Sequence, residues 1–169
     1  MAKQPATKGG LEVDEDRAWQ ERFWTIQRIG WAVMALILLA ALLGATGKGG
    51  PLASASARSP AGTIDYPRIT RWQSSDQVAV RLPASASGKV NVELSPEFAE
   101  TFTIESVEPE PSQVQATADG DLFTFDVGNG GGEKEIVFNV RAQKPLLYRS
   151  VEARIGDGPR QPLALTVLP

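Results

Sequence analysis

The 169-residue chain contains no cysteine and no histidine. Without Cys there is no thiolate nucleophile and no disulfide, so any exported domain must hold together by its core alone. Without His there is no Ser-His-Asp triad, no zinc site of the usual ligands and no His-ligated haem. Positive charge is not in excess either: 17 Lys and Arg stand against 20 Asp and Glu, a net charge of −3, which gives no electrostatic footprint for nucleic acid. No helical pattern follows residue 60.

What the chain does have is one long apolar block. Residues 29–47 contain no Asp, Glu, Lys or Arg, and their centre, "AVMALILLAALLGA", is apolar all round. About 20 such residues cross a hydrocarbon layer about 30 Å thick. A buried helix of a soluble protein normally keeps a polar stripe, so a transmembrane helix over 29–47 is expected. Trp24, Arg28 and Trp31 sit at its entry with Arg22 beside them, as amphipathic rings and snorkelling cations do at headgroups. Lys48, the glycines and Pro51 are expected to stop it.

The stretch "ALLGATGKGGPLASASARS" also reads as the end of a signal peptide, with small-x-small sites at Ala53–Ala55 and Ala55–Ala57. The 28 residues before the block, its length and the distance to those sites favour an uncleaved anchor. Basic residues near the span lie mostly on its N-terminal side: Lys8, Arg17, Arg22 and Arg28 against Lys48 and Arg58. The expected topology is single-pass in a bacterial inner membrane, with the N-terminus cytoplasmic and the C-terminal domain periplasmic.

Residues 1–28 divide into "MAKQPATKGG", with the composition of a disordered tail, and a helix opening at Asp14. That helix carries Trp19, Phe23 and Ile26 at helical spacing. The stripe reads as a docking face for a neighbouring membrane protein or, preferably, as interfacial anchoring against lipid. Residues 48–62, within "GKGGPLASASARSPAG" (47–62), read as a flexible linker.

Residues 63–169 alternate apolar and polar positions repeatedly. Examples are Val78, Val80, Leu82; Phe123, Phe125, Val127; Ile136, Phe138, Val140; and Leu163, Leu165, Val167. With the edge-like "TIDYPRITRW", where Pro67 has no N–H to donate, the pattern gives about nine short strands. The expected fold is mainly β: an antiparallel immunoglobulin-like β-sandwich preceded by one transmembrane helix. A membrane barrel needs strands of about 9 to 11 residues, longer than several of these runs. "ATADGDLFTF" reads as a hairpin turning at Asp119-Gly120.

Candidate chemistry is sparse. Glu93, Glu97, Glu100, Glu105, Glu108 and Glu110 offer carboxylates for acid/base work, but no pair is singled out and a solvated acidic face is the plainer reading. Asp119, Asp121, Asp126 and Asn129 lack the spacing of a calcium loop. "GNGGGE", 128–133, lacks the Lys and the helix of a phosphate loop and reads as a hairpin tip. No catalytic, metal or cofactor site is expected, and no cofactor.

Four aromatic residues of the outer domain are candidates for exposure: Tyr66, Trp72, Phe98 and Tyr148. Trp72 is expected in the core and Phe98 as an end plug. In "QKPLLYRS" Leu146, Leu147 and Tyr148 are consecutive and cannot all face inward in a strand. Leu147 and Tyr148 are therefore candidate partner-binding residues, alongside Trp19 and Phe23.

The run "QERFWTIQRIGWAVMALILLAALLGATGKGGPLASA" resembles the N-terminus of small single-span inner-membrane proteins of bacteria with an extracytoplasmic immunoglobulin-like β domain. That resemblance implies the topology above and carries no activity or site residue with it. The expected function is a non-catalytic, membrane-anchored interaction or accessory subunit of the cell envelope. Its partners would be membrane lipid and another inner-membrane or periplasmic protein, and no nucleic acid. The alternative is an envelope sensor that recognises a small molecule or glycan.

Overall fold

A computed structural model describes residues 17–45, 50–128 and 132–169. The expectations for the N-terminal tail, for the acids at 14–16, for Lys48 and for Asn129 with its neighbouring glycines lie outside the described residues. The chain divides into two units, residues 1–38 and 39–169, and each is taken by itself.

The first unit is helical. Helix α1, Arg17–Leu42, is continuous over 26 residues, so the expected juxtamembrane helix and span form one element. Its apolar stretch, Arg22–Leu42, has 21 residues with a mean hydropathy of 1.8, long and apolar enough to cross a membrane. The helix ends earlier than expected. Gly44, at φ 89°, takes the left-handed position, with its N–H donating to Ala41 O and that of Ala45 to Ala40 O, both at 3.0 Å. This pair of bonds satisfies the last carbonyls in the manner of a Schellman cap, so a glycine inside the apolar block, not Lys48 or Pro51, stops the helix.

The second unit is a sandwich of two sheets. The five-stranded sheet runs β1 (Ser54–Ser59), β2 (Gly62–Pro67), β4 (Ser75–Leu82), β9 (Lys134–Ala142) and β6 (Phe102–Glu108). The six-stranded sheet runs β3 (Ile69–Arg71), β11 (Gln161–Leu168), β10 (Leu146–Ile155), β5 (Lys89–Leu94), β8 (Gly120–Asp126) and β7 (Gln113–Thr117). All pairings are antiparallel except β3 with β11, which is parallel. This is the expected immunoglobulin-like sandwich, with two strands more than the alternation pattern gave.

The two extra strands have plain causes. β1 lies in the stretch read as a linker: "SASARS" has no large apolar residue to signal alternation, yet Ala55 and Ala57 pack against the core and the whole strand pairs with β2. "TIDYPRITRW" is two strands, not one. Pro67 ends β2, and after Arg68 the chain begins β3 in the other sheet, as a residue without an N–H cannot continue the ladder.

The core follows the alternation. Val78 and Val80 of β4 lie opposite Phe138 and Ile136 of β9, and these four are buried together with Leu82 and Val140. Phe138 stands edge-on to Phe123 at 5.2 Å and to Phe125 at 6.0 Å between ring centres. Edge-to-face pairs of this kind contribute about 0.5–1.5 kcal/mol beyond their burial. Helix α2, Pro96–Thr101, closes one end by inserting Phe98 against Phe102 at 5.2 Å. Its start uses Pro96, whose missing N–H is no loss in a first helical turn.

Three local readings are corrected. Tyr66 is buried, its strand β2 lying inside the sheet and not at its edge. Val114 alternates correctly but remains exposed, because β7 is an edge strand. The hairpin exists, but Thr117 pairs with Gly120, so the turn residues are Ala118 and Asp119. Gly120 instead opens β8 at φ 127°, where a Cβ would lie 2.0 Å from Leu94 O. Only glycine allows that approach.

Candidate interaction site

β10 supplies the most exposed apolar residues of the sandwich. From Ile155 back through Ala153 to Val151, odd-numbered residues face the core. Continued alternation would turn Leu147 inward. The register instead shifts between Leu146, opposite Val167, and Arg149, opposite Leu165, which inserts one extra residue into β10. Such a bulge reverses the parity of the strand beyond it. Leu146 therefore packs against the core, while Leu147 and Tyr148 are left 82% and 78% exposed. Tyr148 absorbs the irregularity at φ 45°, a conformation costly for a residue with a Cβ.

The segment is held at both ends. Arg149 reaches Glu100 of α2 at 3.3 Å. Ahead of β10, Gln143 N–H donates to Thr101 O at 2.9 Å and Gln143 O accepts from the Trp72 indole N–H at 3.0 Å. Trp72, expected in the core, is thus half-exposed at the end of β3, its own N–H bonded to Leu168 O at 2.7 Å. Five phenylalanines and Tyr66 already fill the core, and the indole N–H of Trp72 needs an acceptor. Trp72 clamps the connection from which Leu147 and Tyr148 project.

On the helix, Trp19 and Phe23 are both exposed and their rings stack at 4.7 Å. Arg28 lies over the Trp24 ring at 3.9 Å, and Trp31 is exposed on the same helix. Cation and ring together form one amphipathic pair on the exposed helix surface.

A second cluster went unseen in the sequence. Glu93 of β5, counted with the solvated acids, is 6% exposed. Its register partner Arg154 bonds one carboxylate oxygen, and Arg160 bonds the other at 2.8 Å. Arg160 also reaches Asp119 at 3.3 Å and Glu152 at 3.9 Å. The hydrogen bond to Asp119, followed by the charges of Asp119 and Glu93, raises the pKa of Arg160 above its ordinary value. Beside the cluster, Glu97, Asp119, Arg149, Glu152 and Arg160 line an open polar cleft of about 510 Å³. Among the described residues no three metal-ligating side chains converge. The Asp119 carboxylate is engaged by Arg160, and Asn129 is outside the described residues. A sequence could signal Glu93 only by its position between the inward Val92 and Leu94, opposite an unknown partner strand.

The fold defines the class: an immunoglobulin-like β-sandwich following an apolar helix. No protein-family model matches the chain, and no curated protein matches it. Solved structures similar to it include CaCohA2 from Clostridium acetobutylicum, at 12% identity and a TM-score of 0.43, over 59% of this chain and 85% of that one. Another is a non-cellulosomal cohesin from the hyperthermophilic archaeon Archaeoglobus fulgidus, at 18% identity and a TM-score of 0.38, over 59% of this chain and 78% of that one.

Proposed function

We propose that the chain is a non-catalytic, membrane-anchored interaction subunit of a bacterial cell envelope, with α1 as an uncleaved anchor and the sandwich displayed outside. The observation that carries this reading is the pair Leu147 and Tyr148, set on a bulge that leaves both side chains outside the core. Residues held in unfavourable backbone conformations cluster at functional positions, and aromatic anchors dominate protein interfaces. The exposed Trp19–Phe23 stack would add a contact within or at the membrane.

The test is purification of the full chain from its host membrane in mild detergent, comparing wild type with Leu147→Asp, Tyr148→Ala, Trp19→Ala and Phe23→Ala. Loss of a stoichiometric partner in the first two supports the reading, and unchanged co-purification in all four overturns it. Intact mass decides the anchor: 18.1 kDa retains α1, whereas loss of residues up to Ala55 or Ala57 makes α1 a leader. The cleft beside Arg160 favours a second reading, recognition of a small polar ligand, which a ligand-dependent thermal shift would reveal.

A further inference from the structure

The six-stranded sheet ends on one side in β7, whose five residues are all exposed. Val114 is the register partner of Phe123 and so lies on the same side of the sheet as that buried ring. It nevertheless stays 54% exposed: a core-facing position that nothing covers. The main chain is equally open. The Thr117–Gly120 pair closes a two-residue turn, which directs the N–H and C=O groups of Thr117, Gln115 and Gln113 to β8. Those of Val114 and Ala116 consequently point outward.

The other edges carry features that discourage strand addition. β3 has three residues and ends in Arg71. β6 carries Glu105 and Glu108 and a register shift between Ile104 and Ser106. β1 carries Arg58. β7, "QVQAT", has no charge, no proline and no register shift.

The charges flank it instead: Glu108 and Glu110 before the strand, Asp119 and Asp121 after it. Among the described residues only Asp119 of these four is ion-paired, with Arg160. A second copy paired antiparallel about Gln115 would bring Glu110 of one chain against the Asp119–Gly120 corner of the other, a contact between like charges. A strand with cationic ends meets opposite charge at both.

We infer that β7 is an acceptor edge for an extended, uncharged, β-branched segment of a partner protein flanked by Lys or Arg. Added to β7, such a strand would bond the outward groups of Val114 and Ala116 and cover the Val114 side chain. In the sheet, β5 and β8 separate β7 from β10, so this edge and the Leu147–Tyr148 surface can fail independently.

The test uses the full chain in detergent and two synthetic peptides of alternating valine and threonine, one with two lysines at each end and one with two glutamates. The expected result is saturable binding of the lysine-flanked peptide, with new amide protection at Val114 and Ala116. Binding of the glutamate-flanked peptide should be at least about tenfold weaker. Ala116→Pro removes an N–H that faces solvent, a change edge strands tolerate, and should weaken the lysine-flanked peptide by about tenfold or more. Leu147→Asp should bind as wild type does.

Absence of saturable binding, equal binding of the two peptides, or full affinity in Ala116→Pro would overturn the inference. Self-association abolished by Ala116→Pro would overturn it too, assigning the edge to a second copy. If Ala116→Pro unfolds, Val114→Arg decides. It keeps every main-chain group and adds one positive charge at the centre of the edge, so a weakened preference for the lysine-flanked peptide supports the site and an unchanged preference refutes it.

Discussion

Replacing Tyr148 with glycine separates the strain of the β10 bulge from ordinary strand packing. At φ 45° a residue with a Cβ sits in a left-handed conformation that costs about 1–2 kcal/mol. Glycine removes that cost and adds about 0.5–1 kcal/mol of unfolded-state entropy. The ring is 78% exposed, so little burial is lost with it. The expected balance for Tyr148→Gly is a gain of about 0.5–1 kcal/mol, or a rise in Tm of about 2–5 °C for a domain of this size. Leu147 is more exposed still but has no positive φ, so Leu147→Gly should lose about 0.5–1 kcal/mol. Neighbouring residues are thus expected to respond to one substitution with opposite signs. Thermal melts of the full chain in detergent, followed by far-ultraviolet circular dichroism, measure both. If Tm falls in both variants, or falls further in Tyr148→Gly, the bulge is not strained and the argument from strain to function goes with it.

Gly120→Ala should lower stability by about 3 kcal/mol or more, because its Cβ meets Leu94 O at 2.0 Å at a position of positive φ; a urea titration showing less than about 1 kcal/mol would refute the close approach. Glu93→Gln should lower stability by about 1–2 kcal/mol, measured the same way. This is less than a fully buried ion pair would give, as Arg154 and Arg160 are 37% and 40% exposed. Glu97 has its pKa lowered by a hydrogen bond from its own backbone N–H, then by Ser95. A depressed carboxyl stabilises the fold above its ordinary pKa of 4.5 and loses that contribution as pH falls through the folded value. Between pH 7 and pH 3, wild type should therefore lose more Tm than Glu97→Gln; equal losses would remove Glu97 from the account.

Strands whose inward positions are large were legible from the chain alone. Phe123, Phe125, Ile136, Phe138, Leu163 and Leu165 announce their faces, because burial of big apolar groups imposes the two-residue period. β1 was not legible, as alanine and serine differ too little in hydropathy to mark a face. Leu147 and Tyr148 were legible because three apolar residues in a row conflict with strand geometry. The bulge that resolves the conflict depends on the pairing with β11, which no local pattern encodes. Trp72 and Glu93 were misread for a shared reason: the environment of each is made by residues more than 50 positions away, Gln143 for one and Arg154 with Arg160 for the other. The turn at 118–119 was displaced by one residue because Gly120 is required by its contact with Leu94, not by the turn.

The parallel pairing of β3 with β11 joins Ile69 to Thr166 and Arg71 to Leu168, nearly the whole length of the sandwich apart in sequence. β11 is an interior strand, between β3 and β10. Until it docks, β3 has no neighbour and β10 shows an open edge. Contacts of such long range come late, since the loop-closure entropy must be met before they form. Folding is therefore gated by arrival of residues 161–168, and a nascent domain lacking them exposes two unsatisfied edges. Truncation within β11 should cost the sandwich its cooperativity as a whole and not merely its last strand.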